Sequence, residues 1–294
     1  MNLETTRTCI LPSYPGKIPA IIEYLDHLGR VAACGSVRER YNNTCYSLTT
    51  GSKPAWVKMH AMPNYFCNSR PYPYRGYPTR ISNYVSSVGW FMMGDKRCDR
   101  HVKEISTQLL TVSNEWKTLP NLSPFRPFGL PEAACSVTLN STHIIVIAQM
   151  RSVRSVFPNR SHFPNEILDA WILNLSHFTW TRLAPFVGSW YFPVYGCVLT
   201  PEQEVMVLGS RKPKIYNPTS NTWRKDNLRV NVKPPTPFFF WDDRVITIDR
   251  DRVLQRTKAG YEPMEARLGD SFSRGFDVAI LVPAGSYKCS SVLN

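Results

Sequence analysis

The sequence predicts an all-β fold built from repeated units. Three observations carry this. Aromatic residues and prolines are abundant, with 8 Trp, 14 Tyr, 14 Phe and 24 Pro among 294 residues, while charged residues make up only 19%. Such a composition favours strands and turns over helices. A unit of four short apolar runs recurs along the chain. The fourth run of each unit opens on an aromatic residue, after a polar turn.

The first unit, about 18–70, holds "IPAIIEYL", "RVAACG" and "NTCYSLTTGSKPAW", ending on Trp56. The second, 80–127, holds "SNYVSSVG", "WFMMGD" and "STQLLTVSNEW", ending on Trp116. The third, 132–188, holds "AACSVTL", "HIIVIAQM" and "DAWILNLSHFTW", ending on Trp180. The fourth, 193–232, holds "VYGCVLT", "EVMVLGS" and "KPKIYNPTSNTW", ending on Trp223. The fifth, 236–268, holds "PFFFWD", "RVITIDR" and "RVLQRTKAGY", with Tyr261 in the Trp place. The first two runs of each unit are 4–8 residues long and bounded by Gly, Pro, Asn or Asp, as strands are. Each unit therefore reads as strands a, b, c and d. After the aromatic the chain often reaches Leu-Pro or Met-Pro, as in "WVKMHAMP" and "WKTLPNLSP".

"EVMVLGSRKPKIYNPTSNTW" resembles a kelch repeat: an apolar strand ending in Gly, a loop, Tyr in the third strand and Trp in the fourth. The first unit resembles it too. The family's double glycine after strand b is reduced here to Gly35, Gly94 and Gly209, and is missing from units three and five. The resemblance spans about 18–285. It implies a single kelch-type β-propeller domain over 1–294, with four-stranded blades around an axis. "TRTCILPSYPG" is similar to the tail of a unit and "GFDVAILVPAG" to a further strand a. Six blades are therefore expected, the last closed by 1–15 with 275–294; a five-bladed ring is the alternative.

There are eight cysteines. Cys34 ends strand b and Cys45 begins strand c of blade one. Neighbouring antiparallel strands bring such positions within disulfide range, so the pair is expected to staple the b–c loop, the alternative being two separate buried thiols. Cys9 and Cys289 lie in the closing segments and are candidates to lock the ring. Cys67 and Cys98 lie in loops that share a face in a propeller and are candidates for a third pair. Cys135 and Cys197, inside strands a, are expected to be free and buried. No C-x-x-C zinc spacing occurs. Disulfides imply an oxidising compartment. The sequons at Asn42, Asn121, Asn140, Asn159 and Asn174 agree with one. The N-terminus shows no signal region, so an extracellular location is the expectation and a cytoplasmic one the alternative. No segment approaches the ~18 apolar residues of a membrane helix.

Net charge is +13. The b–c loops, which in a propeller open on one face, hold fourteen basic and six acidic residues, +8 of that total. The long d–a loop after blade one interleaves Arg70, Arg75 and Arg80 with Tyr72, Tyr74 and Tyr77. Guanidinium groups bind carboxylate or sulfate as a fork, and tyrosine adds contact area at low entropic cost. Kelch propellers often bind acidic segments through arginines in these loops. The resemblance therefore implies a binding face of Arg38, Arg40, Arg70, Arg75, Arg97, Arg100, Arg151, Arg154, Arg211 and Lys212.

Enzyme signatures are weak. A copper enzyme of the galactose-oxidase type, which shares the architecture, needs clustered Tyr and His ligands. Of the six histidines, His143 opens a strand b and His60 follows a strand d, so neither makes an evident cluster; His101 and His162 lie in loops on the basic face and could approach one another. "TSNTW" keeps only the end of a sialidase box, and no G-x-S-x-G or phosphate-binding glycine loop occurs. A basic face with aromatics also suits nucleic acid, but no such fold signature is present. The expectation is a non-catalytic protein-binding module without cofactor or metal, its partner an acidic protein segment or a sulfated glycan such as heparan sulfate. An intracellular kelch substrate adaptor is the alternative, and the copper enzyme a remote one.

Overall fold

The structure, a computed structural model, describes residues 12–15, 19, 21–36, 42–51, 53–66, 81–95, 105–121, 131–150, 166–188, 194–209, 213–226, 238–241, 244–249, 252–257 and 261–267. Among these the chain is all-β and forms five antiparallel sheets, a five-bladed β-propeller. This is the second of the two blade counts the sequence allows.

Blade one is β1 (Ile21–Leu25), β2 (Arg30–Cys34), β3 (Cys45–Leu48) and β4 (Trp56–Lys58). Blade two is β5 (Ile81–Val85), β6 (Gly89–Asp95), β7 (Ile105–Thr111) and β8 (Trp116–Thr118). Blade three is β9 (Pro131–Asn140), β10 (His143–Met150), β11 (Glu166–Asn174) and β12 (Thr179–Arg182). A short β13 (Phe186–Gly188), which no repeat signal marks, also pairs with β11. Blade four is β14 (Val194–Leu199), β15 (Val205–Gly209), β16 (Lys214–Asn217) and β17 (Thr222–Lys225). Blade five is β18 (Phe238–Trp241), β19 (Arg244–Asp249), β20 (Arg252–Arg256) and β21 (Tyr261–Arg267). Each sheet runs a-b-c-d in sequence order. The innermost strands pack in succession, β1 on β5, β5 on β9, β9 on β14 and β14 on β18.

The core is a series of layers between blades. In β10, Ile144, Val146 and Ala148 face blade two, while Ile145 and Ile147 face blade four. In β15, Val205 and Val207 face blade three, and Met206 and Leu208 face blade five. A strand buried on both faces has no polar side to alternate with. This is why strand b reads as an unbroken apolar run in "HIIVIAQM" and "EVMVLG".

The repeated Trp fastens each blade to the one before it. Its indole Nε1 donates to a carbonyl just past the preceding strand d: Trp116 to His60 at 3.1 Å, Trp180 to Pro120 at 3.0 Å, Trp223 to Ala184 at 2.6 Å. Trp56 makes the same bond to Pro12 at 2.8 Å, so residues 12–15 lie against blade one as an exit segment lies against each later blade. Tyr14 adds an edge-on contact with Trp56 and a hydrogen bond from its hydroxyl to the Gly35 carbonyl. In blade five, where Tyr261 replaces Trp, an Arg256–Asp226 ion pair ties strand c to the exit of blade four. At the first boundary the buried Gln108 amide accepts from Asn64 N and donates to Asn64 O, both at 3.1 Å. Gly94 leaves room for Phe66 there: a Cβ at Gly94 would lie 2.7 Å from that ring.

The remaining parts of the closing segments, 1–11 and 275–294, lie outside the described residues.

Candidate functional site

Strand polarity sets where loops leave the blades. The ends of strands b, at Cys34, Asp95, Met150, Gly209 and Asp249, and the starts of strands c, at Cys45, Ile105, Glu166, Lys214 and Arg252, stand at one rim. All five b–c connections depart from it. Arg38, Arg40, Arg70, Arg75, Arg97, Arg100, Arg151, Arg154, Arg211 and Lys212 themselves lie outside the described residues. Lys214, at the same rim, is described; its ammonium stands 5.3 Å from the centre of the Phe186 ring across the boundary between blades three and four.

Cys34 and Cys45 face each other in direct register and are disulfide-bonded, with a Cα–Cα distance of 4.1 Å. The pair is buried and closes the b–c loop of blade one, as expected from the sequence. The expectation for Cys135 and Cys197 is corrected: they are not free but bonded to each other, with Cα atoms 5.6 Å apart. Innermost strands β9 and β14 converge toward the axis, which brings two cysteines 62 residues apart in sequence into range. Cys9, Cys67, Cys98 and Cys289 lie outside the described residues.

Three of the sequon asparagines sit in tight turns. The Oδ1 of Asn42 accepts from Thr44 N, that of Asn140 from Thr142 N, and that of Asn174 from Ser176 N, at 2.8–2.9 Å. Asn140 and Asn121 are exposed, while Asn42 and Asn174 are half-buried. Asn159 lies outside the described residues.

The axis carries polar side chains that the sequence reading passed over. On β1, Glu23 Oε2 accepts from Ser82 of β5 at 3.3 Å. Asn83 of β5 reaches Ser136 of β9, donating to its carbonyl and accepting from its hydroxyl. Thr138 donates to the Tyr84 carbonyl at 3.4 Å. Blades one, two and three are thus joined at the axis by side-chain hydrogen bonds, and blades three and four by the disulfide. Enclosure raises the Glu23 carboxyl to about 7, with a smaller push from Asp26; hydrogen bonds from Tyr24 N and Ser82 oppose this. His27, in the turn after β1, stacks on Tyr84 and shares two hydrogen bonds with its hydroxyl. The one signal for Glu23 is a lone carboxylate inside the otherwise apolar and aromatic run "IIEYL". Among the described residues no three His, Cys, Asp or Glu side chains gather.

No family model matches the chain, and no curated protein does. Solved structures do. The structure named YjhT matches with a TM-score of 0.53 at 11% identity, over 88% of this chain and 86% of that one. A protein of unknown function from Dyadobacter fermentans matches at 0.44 and 11%, over 65% and 69% of the two chains. PorZ, a surface component of the type-IX secretion system of Porphyromonas gingivalis, matches at 0.43 and 11%, over 90% of this chain and 30% of its own. At such identity the likeness to YjhT speaks for the propeller fold alone, and the described blades agree with it.

Proposed function

We propose that this propeller is a binding module rather than an enzyme, and that its b–c rim holds an anionic partner, an acidic protein segment or a sulfated glycan. The observation that carries the reading is that five b–c connections with a summed charge of +8 leave from one rim. A ring of like charge concentrates counter-ions and steers an anionic partner toward it. The kelch resemblance supports the same face. The Cys34–Cys45 and Cys135–Cys197 disulfides support an extracellular setting over a cytosolic adaptor.

Binding to immobilised heparin and to an acidic peptide, each at rising salt, tests the reading. Affinity is expected to fall steeply with ionic strength. Charge reversal at Arg38, Arg97, Arg151 and Arg211 together is expected to abolish it. Retention of binding by that variant, or a salt-independent affinity, rules the rim out.

A further inference from the structure

A second group of cation-capable side chains lies along the first blade boundary. A groove of about 450 Å³ runs between blades one and two. It is bordered by the turn after β1, the exit of β4 and the turn before β8, through Leu28, Met59 and Asn114. The two turns lie at the rim opposite the b–c connections, while the exit of β4 stands level with the b–c rim, Met59 N donating to the Cys45 carbonyl at 2.8 Å. The volume falls within the roughly 300–1,000 Å³ of ligand-holding clefts. Three cation-capable side chains line it, Arg30, Lys58 and His60, and among the described residues no acid does. All three are exposed. Among the described residues none of their side chains has an ion-pair or hydrogen-bond partner.

The repeat shows that the fold does not need this charge. The indole bonds place His60, Pro120 and Ala184 at one equivalent position. Lys58 then matches Thr118 and Arg182, two residues after each Trp. Arg30, the first residue of strand b, matches Gly89 and His143. At the second boundary the three positions are thus Gly, Thr and Pro, with no cation. At the third, Arg182 is neutralised by the buried Asp169, its Nε 2.9 Å from Oδ1, and His143 is held by Asn140 and Thr142 in its own turn. Only at the first described boundary do all three positions hold cation-capable side chains with no counter-charge among the described residues. Unpaired like charges side by side are mildly destabilising, so packing does not explain them.

We propose that this groove binds an acidic peptide segment, with carboxylates on Arg30, Lys58 and His60 and an aliphatic side chain on the floor of Leu28, Met59 and Trp116. The floor decides the class of partner. Among the described residues its apolar part is Leu28, Met59, Leu110 and Trp116, and besides the three cation-capable side chains the polar ones are Ser47 and Asn114. Sugar hydroxyls placed there would lose water with few new partners, whereas an aliphatic side chain gains from the burial. Arg30 supplies a fork for one carboxylate and Lys58 a point charge for another. Trp116 is already fixed by its bond to the His60 carbonyl, so the wall against which the peptide rests is rigid before binding.

The test is fluorescence anisotropy with a labelled Glu-Asp-Leu-Asp-Glu peptide. Its all-amide counterpart Gln-Asn-Leu-Asn-Gln and a heparin hexasaccharide serve as competitors. The protein variants are Arg30→Gln with Lys58→Gln, His60→Asn, and separately the four-arginine reversal at the b–c rim. The groove residues are exposed and unpaired, so melting temperatures should stay at the wild-type value. The expected result is a tenfold or greater loss of peptide affinity in the Arg30/Lys58 variant, a smaller loss in His60→Asn, and little change in the rim variant. The amide peptide should not compete. Wild-type affinity in the groove variants, or no peptide binding by the wild type, overturns the inference. Peptide binding lost only in the rim variant also overturns it while leaving the rim reading intact. Hexasaccharide binding abolished by the groove variants, without peptide binding, overturns the peptide class.

Discussion

Glu23 is a carboxylate that the fold holds near the axis with one hydroxyl and one backbone amide for company. Its carboxyl is raised to about 7 chiefly by enclosure, against an ordinary 4.5. The folded chain therefore keeps the proton over a range where the unfolded chain has released it. The sign follows from linkage: stability contributed by the neutral form is present in full below about pH 4.5 and is lost as pH rises through about 7. Glu23→Gln keeps an amide in place and removes the charge. Urea unfolding at pH 5 and pH 8 should show the variant gaining on the wild type by on the order of 2 kcal/mol between the two. A difference that stays constant with pH places the ionised carboxylate in water. Asp169 is a contrasting case. Its carboxylate is wholly buried, one oxygen is held by Arg182 and, among the described residues, the other has no hydrogen-bond partner.

At the scale of the element, the Trp of strand d was visible as a spacing and its work was not. The sequence marks each Trp because a β-rich run, a polar turn and an indole recur together. The bond it makes is invisible in sequence, because the acceptor is a backbone carbonyl 39–60 residues earlier, and any residue supplies one. The same reasoning explains β13, which pairs through backbone alone. The groove is hidden in sequence for a different reason: Arg30, Lys58 and His60 sit at strand ends, outside the b–c loops that hold most of the net charge. Aligning the blades on their Trp residues would have exposed them. Trp180→Phe tests the fastening directly. It keeps an aromatic ring beside Phe91 and deletes the donor to Pro120. Because the acceptor stays within reach of water, the cost should be only about 0.5–1.5 kcal/mol in chemical unfolding. A larger loss would assign the residue's role to ring packing rather than to the bond.

The whole molecule is an array in which each blade touches its neighbours, so stability is approximately a sum over blades and the boundaries between them. The two described disulfides act on different parts of that sum. Cys34–Cys45 spans 11 residues inside one blade, and direct pairing of two strands made it legible. Cys135–Cys197 spans 62 residues and crosses a boundary; it became visible only once the ring brought β9 beside β14. Removing the first, as Cys34→Ser with Cys45→Ser, should cost about 2–3 kcal/mol through the freed short loop. All blades should still unfold together. Removing the second, as Cys135→Ala with Cys197→Ala, frees a longer loop and should cost about 4 kcal/mol. It also loosens the boundary between blades three and four, where β9 and β14 lose their covalent tie. Denaturant unfolding should therefore show a lower midpoint for both variants, but a reduced m-value for the second alone, as blades one to three and the remaining blades begin to melt separately. An unchanged m-value in the second variant would mean that the apolar layer of Val137, Ile145, Ile147, Val205 and Val207 couples the two halves without covalent help.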